Sequence, residues 1–197
     1  MTFSLFLALM GFAFVTSVTP GPNNLMLMAS GVNFGFRRTL PHMLGVALGF
    51  SLMVLLVGLG LAGVFHAEPR AVLALQGVSV AYMLWLAWKI AQAAPPRDGD
   101  VGGTPLTFVQ AAGFQWVNPK AWAMALTATS VYAPGQSALA MAVVAAVFGA
   151  VNLPSVAVWV WMGQGVRRFL TRPAALRGFN WTMAVLLVLS LWPVLQM

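Results

Sequence analysis

Thr19-Pro20-Gly21-Pro22-Asn23-Asn24 separates two apolar runs, residues 3–18 and 25–36, and no charged side chain precedes Arg37. A segment without charge over that length belongs in lipid. There a break in the helix is expensive: a proline removes one backbone hydrogen bond and crowds the preceding turn. An unsatisfied backbone group in hydrocarbon costs several kcal/mol, so such a break survives only against protein or a watery cavity. Working outward, a second break of the same kind appears. Val18-Thr19-Pro20 recurs as Val117-Asn118-Pro119, 99 residues later. Thr19 and Asn118 are good N-cap residues, and each is followed by proline, the residue preferred at the first helical position. A half-helix is therefore predicted to start at each point, with its free N–H groups and positive dipole end facing the interior. Two antiparallel half-helices would bring those ends together, as a receptor for an anion such as the carboxylate of an amino acid.

Composition agrees with a membrane setting. Of 197 residues, 60% are hydrophobic and 7% charged; a soluble domain averages about 25% charged. The chain is too poor in charge to cover itself with a solvated surface. The net charge of +7 does not point to nucleic acid, because the basic residues flank apolar runs. With no cysteine, disulfides and thiolate chemistry are excluded. The first apolar run lacks a basic n-region and is expected to be a retained span.

Six spans are expected, near residues 3–36 (interrupted), 40–65, 71–91, 106–131, 137–162 and 179–195, all in one membrane domain. A Pro- and Gly-rich linker, about 92–104, divides it into repeats of about 1–94 and 105–197. Each half has three spans, and the break falls in the first of the three. An odd number of spans inverts the second copy, the inverted-repeat plan of many secondary transporters. The fold expected is thus an all-α integral membrane protein, six transmembrane helices in two inverted three-helix repeats, with helices one and four interrupted. Eight basic residues (Arg37, Arg38, Lys89, Arg97, Arg167, Arg168, Arg172, Arg177) share one side against Arg70 on the other. Positive charge collects in the cytoplasm, which places both termini outside.

Lys120 is the one charge well inside a span. A charge at that depth costs at least about 2.5 kcal/mol and marks a functional site by default. It could pair with a substrate carboxylate, or shed its proton in an apolar setting and so couple proton flow to transport. The site expected comprises Thr19, Pro20, Gly21, Pro22, Asn23 and Asn24 at the first break, and Gln115, Asn118, Pro119 and Lys120 at the second. Asn152, beside Pro154 in span five, is either a pathway residue or part of a kink. His42 and His66, near opposite ends of span two, are expected at the interfaces. Gly31…Gly35 and Gly45…Gly49 are small-xxx-small patterns that allow close helix contact, within a subunit or in a homodimer. Trp85, Trp88, Trp159, Trp161 and Trp192 are expected in aromatic belts. No HExxH or P-loop is present, the two histidines are far apart, and no carboxylate lies in a span. An enzyme is therefore not expected, and no metal or cofactor is called for.

TPGPNN, GVNFGFRRTLPHMLGVALGF, AYMLWLAWKIA and FQWVNPKAW, in that order, resemble the LysE/Rht family of bacterial amino-acid exporters. The pattern is nearest the branch that handles threonine, homoserine, cysteine or O-acetylserine. The resemblance implies efflux of amino acids across the bacterial inner membrane, driven by an ion gradient, with protons expected. Lysine-exporting relatives carry membrane aspartates near the positions of Gly49 and Met124 here. Their absence implies a neutral substrate, because an unpaired buried charge is costly. Glu68, Asp98 and Asp100, the only acids, all fall in connections. Coupling would then use Lys120, His42, a substrate proton, or an ion held by carbonyls. A passive facilitator and an exporter of another small anionic or zwitterionic metabolite are the alternatives.

Overall fold

A computed structural model describes residues 1–61, 69–93, 103–133, 135 and 137–192. His66, Glu68, Arg97, Asp98, Asp100 and the middle of the linker lie outside the described residues, as do the expected ends of spans two and six. The structure is all-helical, with no strand among the described residues. The helices are α1 (Phe3–Val18), α2 (Pro22–Leu56, continued by a π-helical turn at Val57–Leu61), α3 (Pro69–Ala91), α4 (Phe108–Val117), α5 (Pro119–Tyr132), α6 (Ala138–Arg167) and α7 (Pro173–Leu189). Residues 22–61, 73–91 and 138–167 are long and apolar enough to cross a membrane, and α1 and α7 are shorter apolar helices. Starts are set locally. Thr2 and Ser137 cap α1 and α6 through their hydroxyls. Thr107 and Gln110 close a capping box on α4.

The element that decides the topology is α2, which is two limbs meeting at Gly35 (φ 75°, ψ 174°). Ser30 and Thr39, nine residues apart, bring their hydroxyls within 2.9 Å; a straight helix would hold them about 13 Å apart. Phe36 stacks on Trp161, and Phe50 meets Phe148 edge-on. The second limb (36–56) therefore runs antiparallel to α6. Along the first limb (22–34), a Cβ on Gly31 would strike the Val160 carbonyl, and one on Gly163 the Met28 carbonyl. Both limbs lie against α6, and the Ser30–Thr39 approach places the turn between them at one glycine. The sequence placed this connection at Arg37-Arg38, because charge usually marks a loop; a positive-φ glycine lets helix continue on both sides.

The small-xxx-small glycines pack within the subunit. Gly31 faces Val160; Gly45 and Gly49 face Phe108 and Ala112 of α4. Gly31→Ala is expected to cost about 1–3 kcal/mol, because backbone cannot give way to the added methyl. That lowers the melting temperature by several degrees. Gly11→Ala, with nothing within 4 Å of the new methyl, should melt like the parent in the same detergent.

Two apolar clusters form the interior. One gathers Leu9, Phe50, Met53, Met124 and Phe148; the other gathers Met26, Leu27, Met43, Phe114, Val156 and Val160. Large apolar side chains such as Leu73, Val109, Leu139 and Phe169 face outward, as a lipid-facing surface requires.

Candidate functional site

The second break is built as its sequence predicts. Asn118 ends α4 and caps α5, its Oδ1 accepting from Lys120 N at 3.1 Å, and Pro119 opens the helix. The first break starts two residues later than expected. Thr19 ends α1, its hydroxyl and its N–H both donating to the Val15 carbonyl. Thr19 and Pro20 are therefore not cap and first helical residue; Gly21 and Pro22 take those places in α2. Pro20 stops α1 because it has no N–H to offer the Thr16 carbonyl. The counterpart of Asn118-Pro119 is thus Gly21-Pro22.

The break leaves α1 carbonyls without helical partners, and other elements supply them. Asn24 Nδ2 donates to both Ser17 O and Thr19 O at 2.8 Å. Trp159 of α6 donates its indole N–H to Val18 O at 3.1 Å. Lys120 Nζ donates to Thr19 O at 2.8 Å and reaches Pro20 O at 3.5 Å. The Lys120 charge therefore sits at the positive end of α5 but is balanced by the carbonyl end of α1. Its stem lies against Gly21, where a Cβ would come 2.9 Å from Lys120 Cδ. The two breaks are also tied by a reciprocal amide pair. Asn23 Nδ2 donates to Gln115 Oε1 at 2.8 Å, and Gln115 Nε2 donates to Asn23 Oδ1 at 3.1 Å.

Both breaks border one cavity of about 340 Å³, counted to its open mouth. Of the eleven residues expected in the site, Gly21, Asn23, Asn24, Gln115, Asn118, Lys120 and Asn152 line it. Thr19, Pro20, Pro22 and Pro119 do not; they shape the backbone behind it. Phe50, Ala121 and Met124 come from one apolar cluster and Val156 from the other, so the cavity lies at their junction. Asn152 donates to Ser17 Oγ at 3.2 Å, while its Oδ1 is buried with no hydrogen-bond partner. Sequence reading missed Thr16 and Ser17, which also line the cavity; two hydroxyls closing an otherwise apolar run were the available signal. It also read Trp159 as a belt residue. Chemically, the site offers an ammonium with a proton left for a guest and, on α6, an unused carbonyl oxygen.

The LysE type translocator family model matches residues 14–190. This chain belongs to that family. It is a multi-pass membrane transporter, not an enzyme. Among similar proteins, a cysteine/O-acetylserine efflux protein of Escherichia coli (strain K12) is 32% identical over 193 residues, covering 95% of this chain and 96% of its own. One of Klebsiella pneumoniae is 30% identical over 190 residues, 95% of each chain. One of Salmonella paratyphi A is 37% identical over 133 residues, 67% of each. No solved structure matches the chain.

Proposed function

We propose that this translocator exports a neutral amino acid of the cysteine/O-acetylserine kind from the bacterial cytoplasm, driven by the proton gradient. The observation that carries the reading is the cavity shared by the two helix breaks. In it Lys120 stands at the start of α5 with its ammonium on Thr19 O, and the Asn152 Oδ1 is unpaired. The substrate carboxylate takes the Lys120 ammonium, helped by the positive ends of α2 and α5. The substrate ammonium takes Asn152 Oδ1. No acidic side chain lines the cavity, so a cationic side chain would go unpaired there, and lysine is a poor substrate. Lys120 is also the coupling group, exchanging its carbonyl partners for the carboxylate as substrate arrives.

The architecture proposed has six crossings. They are α1 with the first limb of α2, the second limb, α3, α4 with α5, α6, and α7. The reversal at Gly35 and the paired breaks support this count, and with it two inverted repeats and both termini in the periplasm.

The test uses inside-out vesicles, an imposed proton gradient, and labelled O-acetylserine, cysteine, threonine, homoserine and lysine. Gradient-dependent accumulation of neutral amino acids without lysine is expected. Uptake that equilibrates regardless of the gradient would mean a passive facilitator. No uptake of any of the five by folded protein would point to another metabolite.

A further inference from the structure

A second cavity, of about 410 Å³ counted to its mouth, lies at the far end of the first limb of α2. It is bounded by that limb, the start of the second limb, the end of α3 and the residues just ahead of α4. Arg37 and Arg38 follow the same turn, so this is the basic side of the protein.

His42 is the unexpected member. It is 1% exposed, and neither ring nitrogen has a hydrogen-bond partner. An unpartnered buried polar group costs about 1–3 kcal/mol, and a leucine would fill the space without that cost. The histidine is therefore not an interface residue, and packing does not explain it. Lys89 lines the same cavity, its ammonium 5.4 Å from the centre of the Trp85 ring. No acid lies among the described residues to pair with it. Of the other polar walls, Thr104 is exposed, and two are already occupied. Ser30 bonds Thr39, and Asn33 exchanges amide hydrogen bonds with Asn180 at 2.8 and 3.1 Å.

What remains unpartnered inside is an ammonium and a buried imidazole, which in its neutral form carries one donor and one acceptor. They face apolar walls that include Met26, Leu86 and Leu106. We propose that this cavity is a second substrate site, a cytoplasmic waiting station for a small zwitterionic carboxylate. The Lys89 ammonium and the imidazole N–H take the carboxylate, and a short side chain lies on the apolar wall. The first limb of α2 connects the two sites. Asn24 lines one and Ser30 the other, about 9 Å apart along a helix. The identity of the ligand rests on the proposed function; the existence of the site does not.

Equilibrium binding of labelled O-acetyl-L-serine to protein in lipid nanodiscs tests it. Wild type is expected to bind two per chain. Lys120→Met should bind one, a His42→Phe/Lys89→Met double variant one, and the triple variant none. A single site removed by Lys120→Met alone overturns the second site and leaves the proposed function standing. A site lost only in the double variant, with Lys120→Met unchanged, supports the second site and removes the first. A readout that leaves His42 in place guards against misfolding of the double variant. In the Lys120→Met protein, the His42 imidazole ¹⁵N resonance should move on titration with O-acetyl-L-serine and saturate. A static resonance overturns the proposal.

Discussion

Lys120→Met is expected to reduce concentrative uptake into inside-out vesicles by about 100-fold or more, with the protein still folded. A hydrogen bond from a charged group contributes about 1.5–3 kcal/mol. The substitution removes the bond to Thr19 O and the contact proposed for the substrate carboxylate. The second replaces the first as substrate arrives, so it alone counts: about 1.5–3 kcal/mol is about 10- to 100-fold at 1.4 kcal/mol per tenfold, and loss of the coupling group lowers concentrative uptake further. Folding should survive for a local reason. Thr19 O keeps its bond from Asn24, and Val18 O keeps Trp159, so the end of α1 stays satisfied. Methionine is a flexible apolar stem of similar length and fits along Gly21. Lys120→Arg should rescue little, because the stem already lies close against Gly21, and a planar guanidinium needs space that a compact ammonium does not. Initial rates per folded protein decide the matter. Uptake near the wild-type rate in Lys120→Met would remove this residue from the mechanism.

How far the site could be read in advance depended on how local each rule was. Asn118-Pro119 was legible because cap and first helical residue are adjacent and only one such pair exists there. At the first break, Pro20 and Pro22 both satisfy that rule. What separates them is tertiary: Asn24 reaching back to Ser17 O and Thr19 O, and Lys120 lying against Gly21. The turn at Gly35 was placed two residues late, at Arg37-Arg38, because one residue with φ 75° turns the chain without a loop and the charges lie just beyond it. His42 looked interfacial from its place after Pro41, near the end of the span expected at 40–65. It is buried because the second limb folds back under the first. Trp159 near a helix end read as a lipid anchor, yet its indole caps a carbonyl of α1 from more than a hundred residues away. Side chains that satisfy a broken helix from a distance leave no spacing pattern in the chain.

Asn24→Asp is expected to destabilise more than any other single change at the breaks, although it alters one atom. Asn24 is 3% exposed, and its Nδ2 donates to two carbonyl oxygens at 2.8 Å. An ionised aspartate has only acceptors, so it would set negative charge against both carbonyls. A protonated one restores a single donor. Thr19 O keeps its bond from Lys120, but Ser17 O is left short of its donor at about 1–3 kcal/mol, and the ionised form adds repulsion. A loss of about 2–4 kcal/mol is a large part of a stability of roughly 5–15 kcal/mol. The melting temperature should fall by roughly 5–15 °C, at about 2–4 °C per kcal/mol for a chain of this size. Asn23→Asp is the matched comparison. It keeps an oxygen to accept from Gln115 Nε2 and gives up one donated bond, to Gln115 Oε1, so its melt should shift less than half as far. An Asn24→Asp melt within about 2 °C of the parent would show that the carbonyls of α1 need no such donor. The first break would then have to be held open by its prolines, and the Lys120 ammonium would be the one charged group left to satisfy it.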